Sequence, residues 1–203
     1  MTLRFVTTNR DKLTEASELL RRPLIAVNLA LDELQTTDLE KIVRHKAQQA
    51  YRKVRSPLIV EDTALIFKEW HALPGPFIKH FIEHLGLAGM VDALAPFDNW
   101  DAEARCGIGY HDGERVHYFE GRVAGAIASP AGKGGFGWDP IFRPEGASQT
   151  FAEMTREEKH GYSMRAVAMK ALAAHLDSPR AAFMRTFSPQ EPAPPEPGRS
   201  GPG

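Results

Sequence analysis

Apolar positions along the chain fall into blocks that alternate between strand and helix period. Leu3 to Thr7 is a short β-rich run that predicts a buried strand. The polar break Thr8-Asn9-Arg10-Asp11 ends it, and Lys12 to Arg22 then predicts a helix with Leu13, Ala16, Leu19 and Leu20 on one face. Leu24 to Leu29 predicts a second strand, and Asp32 to Asp38 a polar linker. Leu39 to Val54 predicts a helix whose apolar stripe is Ile42, Val43, Ala47, Ala50, Tyr51 and Val54. Ser56-Pro57 stops it, because the residue before a proline is pushed out of the helical region. Leu58 to Val60 predicts a wholly apolar strand, which Leu65 to Phe67 resumes after Glu61-Asp62-Thr63.

The second half continues the alternation. Leu73-Pro74-Gly75-Pro76 predicts a tight turn whose second proline opens a helix over Phe77 to Leu85. Phe77, Phe81, His84 and Leu85 face inward there, with Lys79 off the stripe. Gly86 is a suitable C-cap, and Leu87 to Leu94 predicts a further short helix. Ala102 to His111 and Arg115 to Ser129 predict two long strands turned at Asp112-Gly113. His111 and His117 read as exposed strand residues. Pro140 to Phe142 predicts a short strand, Thr155 and Glu158 a capping box, and Ser163 to Leu176 the last helix. Its packed side is Ala166, Val167, Met169, the Lys170 stem, Leu172, Ala173 and Leu176. From Ser188 the chain reads SPQEPAPPEPGRSGPG, which predicts a disordered tail after a folded domain of residues 1–187.

Composition narrows the classes. Of 203 residues 42% are hydrophobic, enough for one globular core. The net charge is −1, so no broad basic field exists for nucleic acid, and any anion site must be a local cluster. The single cysteine, Cys106, excludes an intrachain disulfide and a cysteine metal cage, and suits a reducing cytosol. No apolar run of about 18 residues is present, so no membrane span is expected. The opening MTLRFVTT enters a strand pattern directly, so no signal peptide is expected.

Three stretches carry candidate chemistry. In KGGFGWDP, Gly134, Gly135 and Gly137 allow close backbone approach, and Trp138 offers a face on which a base can stack. Lys159 and Arg165, further on, supply charge for phosphate or a base carbonyl. The same residues also fit a β-turn over a core tryptophan beside a solvated helix start. At Thr7 to Lys12, the order strand, polar turn, helix N-terminus suits an anion, and it equally fits an ordinary N-cap with a surface lysine. Glu61 and Asp62 sit at the end of an apolar strand, where adjacent carboxylates repel. Either a Mg²⁺ ion relieves them, or one caps a turn and the other reaches water. Arg165 in a first helical turn opposes the helix dipole, which favours a functional role for it.

Read together, FVTTNRDKLTE, RHKAQQA, LIVEDTALIF, LPGPFIKHFIEHLG, GGFGWDPIF, FAEMTREEK and SMRAVAMKAL resemble the inosine triphosphate pyrophosphatases, in family order, over about residues 3 to 176. The resemblance implies an α/β fold of that type: a long twisted mixed sheet flanked by helices, two lobes and a central cleft. It implies a cytoplasmic, homodimeric, Mg²⁺-dependent hydrolase that converts ITP, dITP and XTP to monophosphate and pyrophosphate. Thr7, Thr8, Asn9 and Lys12 would hold the triphosphate, with Lys12 also catalytic, and Lys46 would neutralise further charge. Asp62 would bind Mg²⁺ and take part in activating water beside Thr63, with Glu33 as the acid that assists the metal. Glu61 reads as either a second metal ligand or a buried partner of one of the lysines. Lys79 would reach the ligand from the helix after the proline turn. Phe136, Gly137, Trp138 and Asp139 would form the base wall, with Trp138 or Phe136 stacking, and Lys159, Met164 and Arg165 would close the site.

Two positions depart from the family pattern. Thr8 stands where the family carries glycine, which narrows the approach to phosphate or demands another φ. Met164 stands where the family carries a histidine near the six-position carbonyl of the base, and methionine donates no hydrogen bond. The same chemistry on another or wider set of nucleotides is therefore the second reading, and a nucleotide-binding protein with weak catalysis the third.

Overall fold

A computed structural model describes residues 3–178. The expected tail from Ser188, and the domain bounds drawn at 1 and 187, lie outside the described residues. Seven strands form one mixed sheet in the order β2-β1-β3-β5-β6-β7, with β4 pairing β3 off that path. The strands are β1 (Leu3–Val6), β2 (Leu24–Val27), β3 (Leu58–Phe67), β4 (Pro74–Gly75), β5 (Asp101–His111), β6 (Val116–Ile127) and β7 (Phe142–Pro144). The helices are α1 (Arg10–Leu20), α2 (Leu39–Val54), α3 (Ile78–Leu94), α4 (Arg156–Tyr162) and α5 (Met164–Asp177). Among the described residues, no helix is long and apolar enough to cross a membrane.

Local chemistry sets the helix ends. Asn9, Asp38, Thr155 and Ser163 cap α1, α2, α4 and α5 with side-chain oxygens on backbone amides. Thr155 and Glu158 complete the capping box. Arg21 and Arg55 close α1 and α2 in the left-handed conformation. Gly86, at φ 68°, kinks α3 where two separate helices were expected. The Asp112–Arg115 turn joins β5 and β6, with Gly113 at φ 117°.

Several expectations are corrected. Glu61, Asp62 and Thr63 do not follow a strand; they lie in the middle of β3, which runs unbroken through them. His84 and Leu85 are exposed, because the inner face of α3 is set by Ile78, Met90, Val91 and Leu94. Val167 is 49% exposed and Lys170 is exposed, whereas Met169, Leu172 and Leu176 are buried as expected, joined on that side of α5 by Met164, Arg165 and Ala168. Asp139–Ile141 is a 3₁₀ turn, and strand pairing begins at Phe142. His111 is buried and stacks on Tyr51 at 3.8 Å, and His117 is partly buried against Asp112 at 2.6 Å.

Register explains where the site forms. β5 pairs with one edge of β3 along its whole length, Leu58 to Phe67. On the other edge β1 pairs only Leu58 and Ile59, and β4 only Leu65 and Ile66. Among the described residues the edge between, from Val60 to Ala64, has no strand partner, and β3 is open there. α2 packs its Val43 and Ala47 on one side with Leu58, Val60 and Ala64, and α5 packs Ala168 and Leu172 on the other with Ile59, Cys106 and Ile108.

Candidate active site

A cavity of about 570 Å³ opens at that gap in β3. Strand alternation sends Glu61 and Asp62 to opposite faces of the sheet, yet both reach the cavity because the edge between them is free. The β1–α1 turn contributes Thr7, Thr8, Asn9 and Lys12, and the loop before α2 contributes Glu33. α2 contributes Lys46, β3 contributes Thr63, and α3 contributes Lys79. The glycine turn and α5 supply Phe136, Gly137, Trp138, Asp139, Met164 and Arg165. Lys159 is buried behind this wall and holds Asp139 from it and Glu15 from α1.

Each face of β3 has its own electrostatics. On the α2 side, Lys46 Nζ donates to Asp62 Oδ2 at 2.6 Å, and Asp62 Oδ1 accepts the Thr63 amide at 2.9 Å. Both side chains of the ion pair keep nearly a fifth of their surface exposed, so water can reach them. On the α5 side lies a buried network of three acids and three bases. Arg165 donates two parallel bonds to Glu61, at 2.8 and 2.9 Å, and a third to Glu15. Lys12 stands 3.2 Å from Glu61. Lys159 donates to Asp139 at 2.7 Å and to Glu15 at 3.2 Å. Burial alone would raise the Glu61 carboxyl, but Arg165 and Lys12 reverse the sign and hold it down at about 2. For Asp139 burial wins over Lys159, and its carboxyl is raised. Burial also pushes the Cys106 thiol well up, which leaves it unreactive.

The two rings of the aromatic wall differ in setting. Trp138 is 6% exposed and packs edge-on against Phe142 at 5.6 Å, as a core residue with a rim on the cavity. Phe136 is partly exposed, and its ring lies 4.8 Å from Lys159 Nζ and 5.3 Å from the Arg165 guanidinium. Asp139 orders the turn by accepting the Phe136 amide at 2.8 Å. Met164 is buried and still borders the cavity.

At the β1–α1 turn, Asn9 Oδ1 accepts the amides of Asp11 and Lys12, and Thr7 Oγ1 accepts that of Asn9. Thr8 is exposed and has no positive φ, so the residue expected to demand a glycine conformation does not. Lys79 is largely exposed, 3.8 Å from Glu83. Glu61 is committed to cations inside the protein, whereas Glu33 is exposed at the cavity rim. Among the described residues, no cluster of three or more His, Cys, Asp or Glu could enclose a metal. Two carboxylates facing one cavity still fit Mg²⁺, which commonly takes one or two protein carboxylates plus water and phosphate.

One residue of the network escaped the sequence reading. Glu15 is 5% exposed and bridges Lys159 to Arg165. Its signal was its place beside Ala16 on the apolar stripe of α1, where an acid stays only if paired.

Comparison with known proteins agrees with this architecture. The chain matches the Ham1 family over residues 3–175. It is 45% identical to inosine triphosphate pyrophosphatase 1 of Trypanosoma cruzi over 84% of this chain and 90% of that one. It is 41% identical to the inosine triphosphate pyrophosphatase of Emericella nidulans, over 86% and 96%. Among solved structures, a HAM1 protein from Coxiella burnetii superposes with a TM-score of 0.77 at 25% identity, covering 87% of this chain and 98% of that one. More than four fifths of the length lies in the family match, the cavity-forming segments lie inside it, and the chain belongs to the Ham1 family.

Proposed function

We propose that the protein hydrolyses non-standard purine nucleoside triphosphates (ITP, dITP and XTP) to the monophosphate and pyrophosphate. The observation that carries this reading is the open edge of β3, where a carboxylate–lysine pair meets a cavity walled by Phe136 on the far side. The names of the relatives, inosine triphosphate pyrophosphatases, support it.

Thr7, Thr8, Asn9 and Lys12 hold the triphosphate, with Lys46 and Lys79 adding positive charge. Because Asn9 already occupies two helix amides, the turn offers phosphate chiefly its side chains. Asp62 takes a proton from the water that attacks the α-phosphorus, and the bond to the bridging oxygen breaks to release pyrophosphate. Asp62 and Glu33 would hold Mg²⁺, which when bound neutralises phosphate charge. The base rests on Phe136 beside Trp138, and Asp139, Lys159, Met164 and Arg165 shape the end of its pocket. The ion pairs behind Phe136 keep that wall fixed. We further propose a cytoplasmic homodimer, on the resemblance described above.

The test is turnover of ITP, XTP, GTP, ATP, dTTP and CTP with Mg²⁺, following pyrophosphate and identifying the nucleotide product. Preference for ITP and XTP with monophosphate as product supports the reading. No pyrophosphate from any nucleotide would overturn it. A second reading, a wider choice of base, is favoured by one observation: Met164 borders the cavity and brings no hydrogen-bond donor.

A further inference from the structure

The loop that joins β2 to α2 carries Glu33 on an otherwise exposed stretch, and α2 grips it at two points. Gln49 Oε1 accepts the Asp32 amide at 3.0 Å, and Gln49 Nε2 donates to Asp32 Oδ2 at 3.1 Å. These two bonds fix which way the side-chain amide points. The same Nε2 lies 2.6 Å from His45 Nε2, one turn earlier on the helix. One turn further on, Lys53 Nζ donates to the Ala30 carbonyl at 2.5 Å. One turn back, Lys46 holds Asp62. Positions 46, 49 and 53 are three and four residues apart and share one helix face. That face therefore holds both segments that bring carboxylates to the cavity. Leu29 and Leu31, at the start of the loop, pack on the same apolar cluster as Val43 and Ala47.

We infer that Gln49 is a positioning residue for divalent-cation binding: by clasping Asp32 at its amide and its carboxylate, it sets Glu33 at the rim that Asp62 shares. The inference rests on the proposal that Glu33 and Asp62 are the cation's protein carboxylates. A carboxylate on an untethered loop must be ordered each time a cation binds, and that ordering weakens the complex. Partners outside the metal's own ligands change affinity about 10–100-fold in other proteins.

The test uses the full chain and Mn²⁺ as probe, followed by electron paramagnetic resonance, with hydrogen exchange across residues 29–36 measured in parallel. Gln49→Met keeps the length of the side chain and removes the amide. It should weaken Mn²⁺ about tenfold or more and speed exchange in the loop, while β3 exchanges as before. Asp32→Ala leaves only the backbone half of the clasp and should give a smaller effect in the same direction. Glu33→Gln should weaken Mn²⁺ without changing loop exchange. Parent-like Mn²⁺ affinity or parent-like loop exchange in Gln49→Met overturns the positioning role while Glu33→Gln still weakens the ion. Undiminished Mn²⁺ binding in Glu33→Gln overturns the ligand assignment itself, and the inference falls with it.

Discussion

Glu61 and Asp62 are neighbours in the chain and belong to different halves of the site. Glu61 faces α5 and is clamped by Arg165 and Lys12, while Asp62 faces α2 and is held by Lys46. The pleat of β3 separates two like charges that sequence alone sets side by side, and it gives each its own cation. A single strand thus presents one carboxylate committed inside the protein and one that keeps surface on the cavity.

Glu61 should therefore govern acid stability. Its carboxyl is held at about 2 against an ordinary 4.5, so it stabilises the fold above pH 4.5, and that contribution is lost as pH falls from 4.5 towards 2. The size is on the order of 3 kcal/mol. Glu61→Gln should be less stable than the parent at pH 7 by about that amount, since Arg165 then stays buried with only Glu15 against it. The gap should narrow below pH 4.5, because the parent protonates the same group. Urea unfolding of both proteins between pH 7 and pH 3 measures it, and a gap that stays constant would sink the assignment.

Asp62 should govern turnover instead. Asp62→Asn keeps the shape and the acceptor of the Thr63 amide, and removes the base. Turnover of ITP should fall about 10²–10⁴-fold while nucleotide still binds. Single-turnover kinetics with calorimetric binding separate the two quantities. Unchanged turnover would move the base elsewhere in the cavity.

The fold was largely legible, and α2 and the β5–β6 hairpin show why. α2 carries an unbroken apolar stripe between Asp38 and a proline stop, and its predicted bounds, Leu39 to Val54, are those observed. The hairpin announces itself by its Asp-Gly turn. The site was legible as a set of residues more than as an arrangement. An acidic pair reads as the end of a strand because two carboxylates cannot stay buried unaided, and the cation that permits it, Arg165, lies 104 residues further on. Trp138 reads equally as a stacking face or as a core residue, and the turn folds it onto Phe142 and leaves Phe136 as the more accessible ring. No local pattern encodes either outcome, since both depend on partners brought by distant elements.

Met164 should set how sharply the base is chosen. Placing a donor there, as in Met164→His, should favour a base with an oxygen at the six position. One added hydrogen bond in a buried site is worth roughly 1–1.5 kcal/mol, so the ratio of kcat/KM for ITP over ATP should rise about tenfold. Competing ITP and ATP in one assay reads the ratio directly. An unchanged ratio would mean that Met164 stands clear of the base edge.

Gly121 should couple the sheet to the site. A Cβ there would meet the Met164 carbonyl oxygen at 1.9 Å, and the Met164 carbonyl carbon and Ala168 amide nitrogen at 2.9 Å. These are backbone atoms of α5, so no side chain can swing aside. Gly121→Ala must lift the start of α5 from β6, and the residue after Met164 is the one that clamps Glu61. Overpacking of this kind should cost about 3 kcal/mol, a fall in Tm of roughly 6–12 °C, together with a loss of activity. Gly161 in α4 offers the opposite case, because a Cβ there meets nothing within 4 Å and its φ is not positive. Gly161→Ala should stabilise by about 0.5–1 kcal/mol through helix propensity alone. Thermal unfolding of the two variants checks both signs. A Gly121→Ala protein as stable as the parent would mean that α5 does not rest on β6 as closely as 1.9 Å to that carbonyl requires.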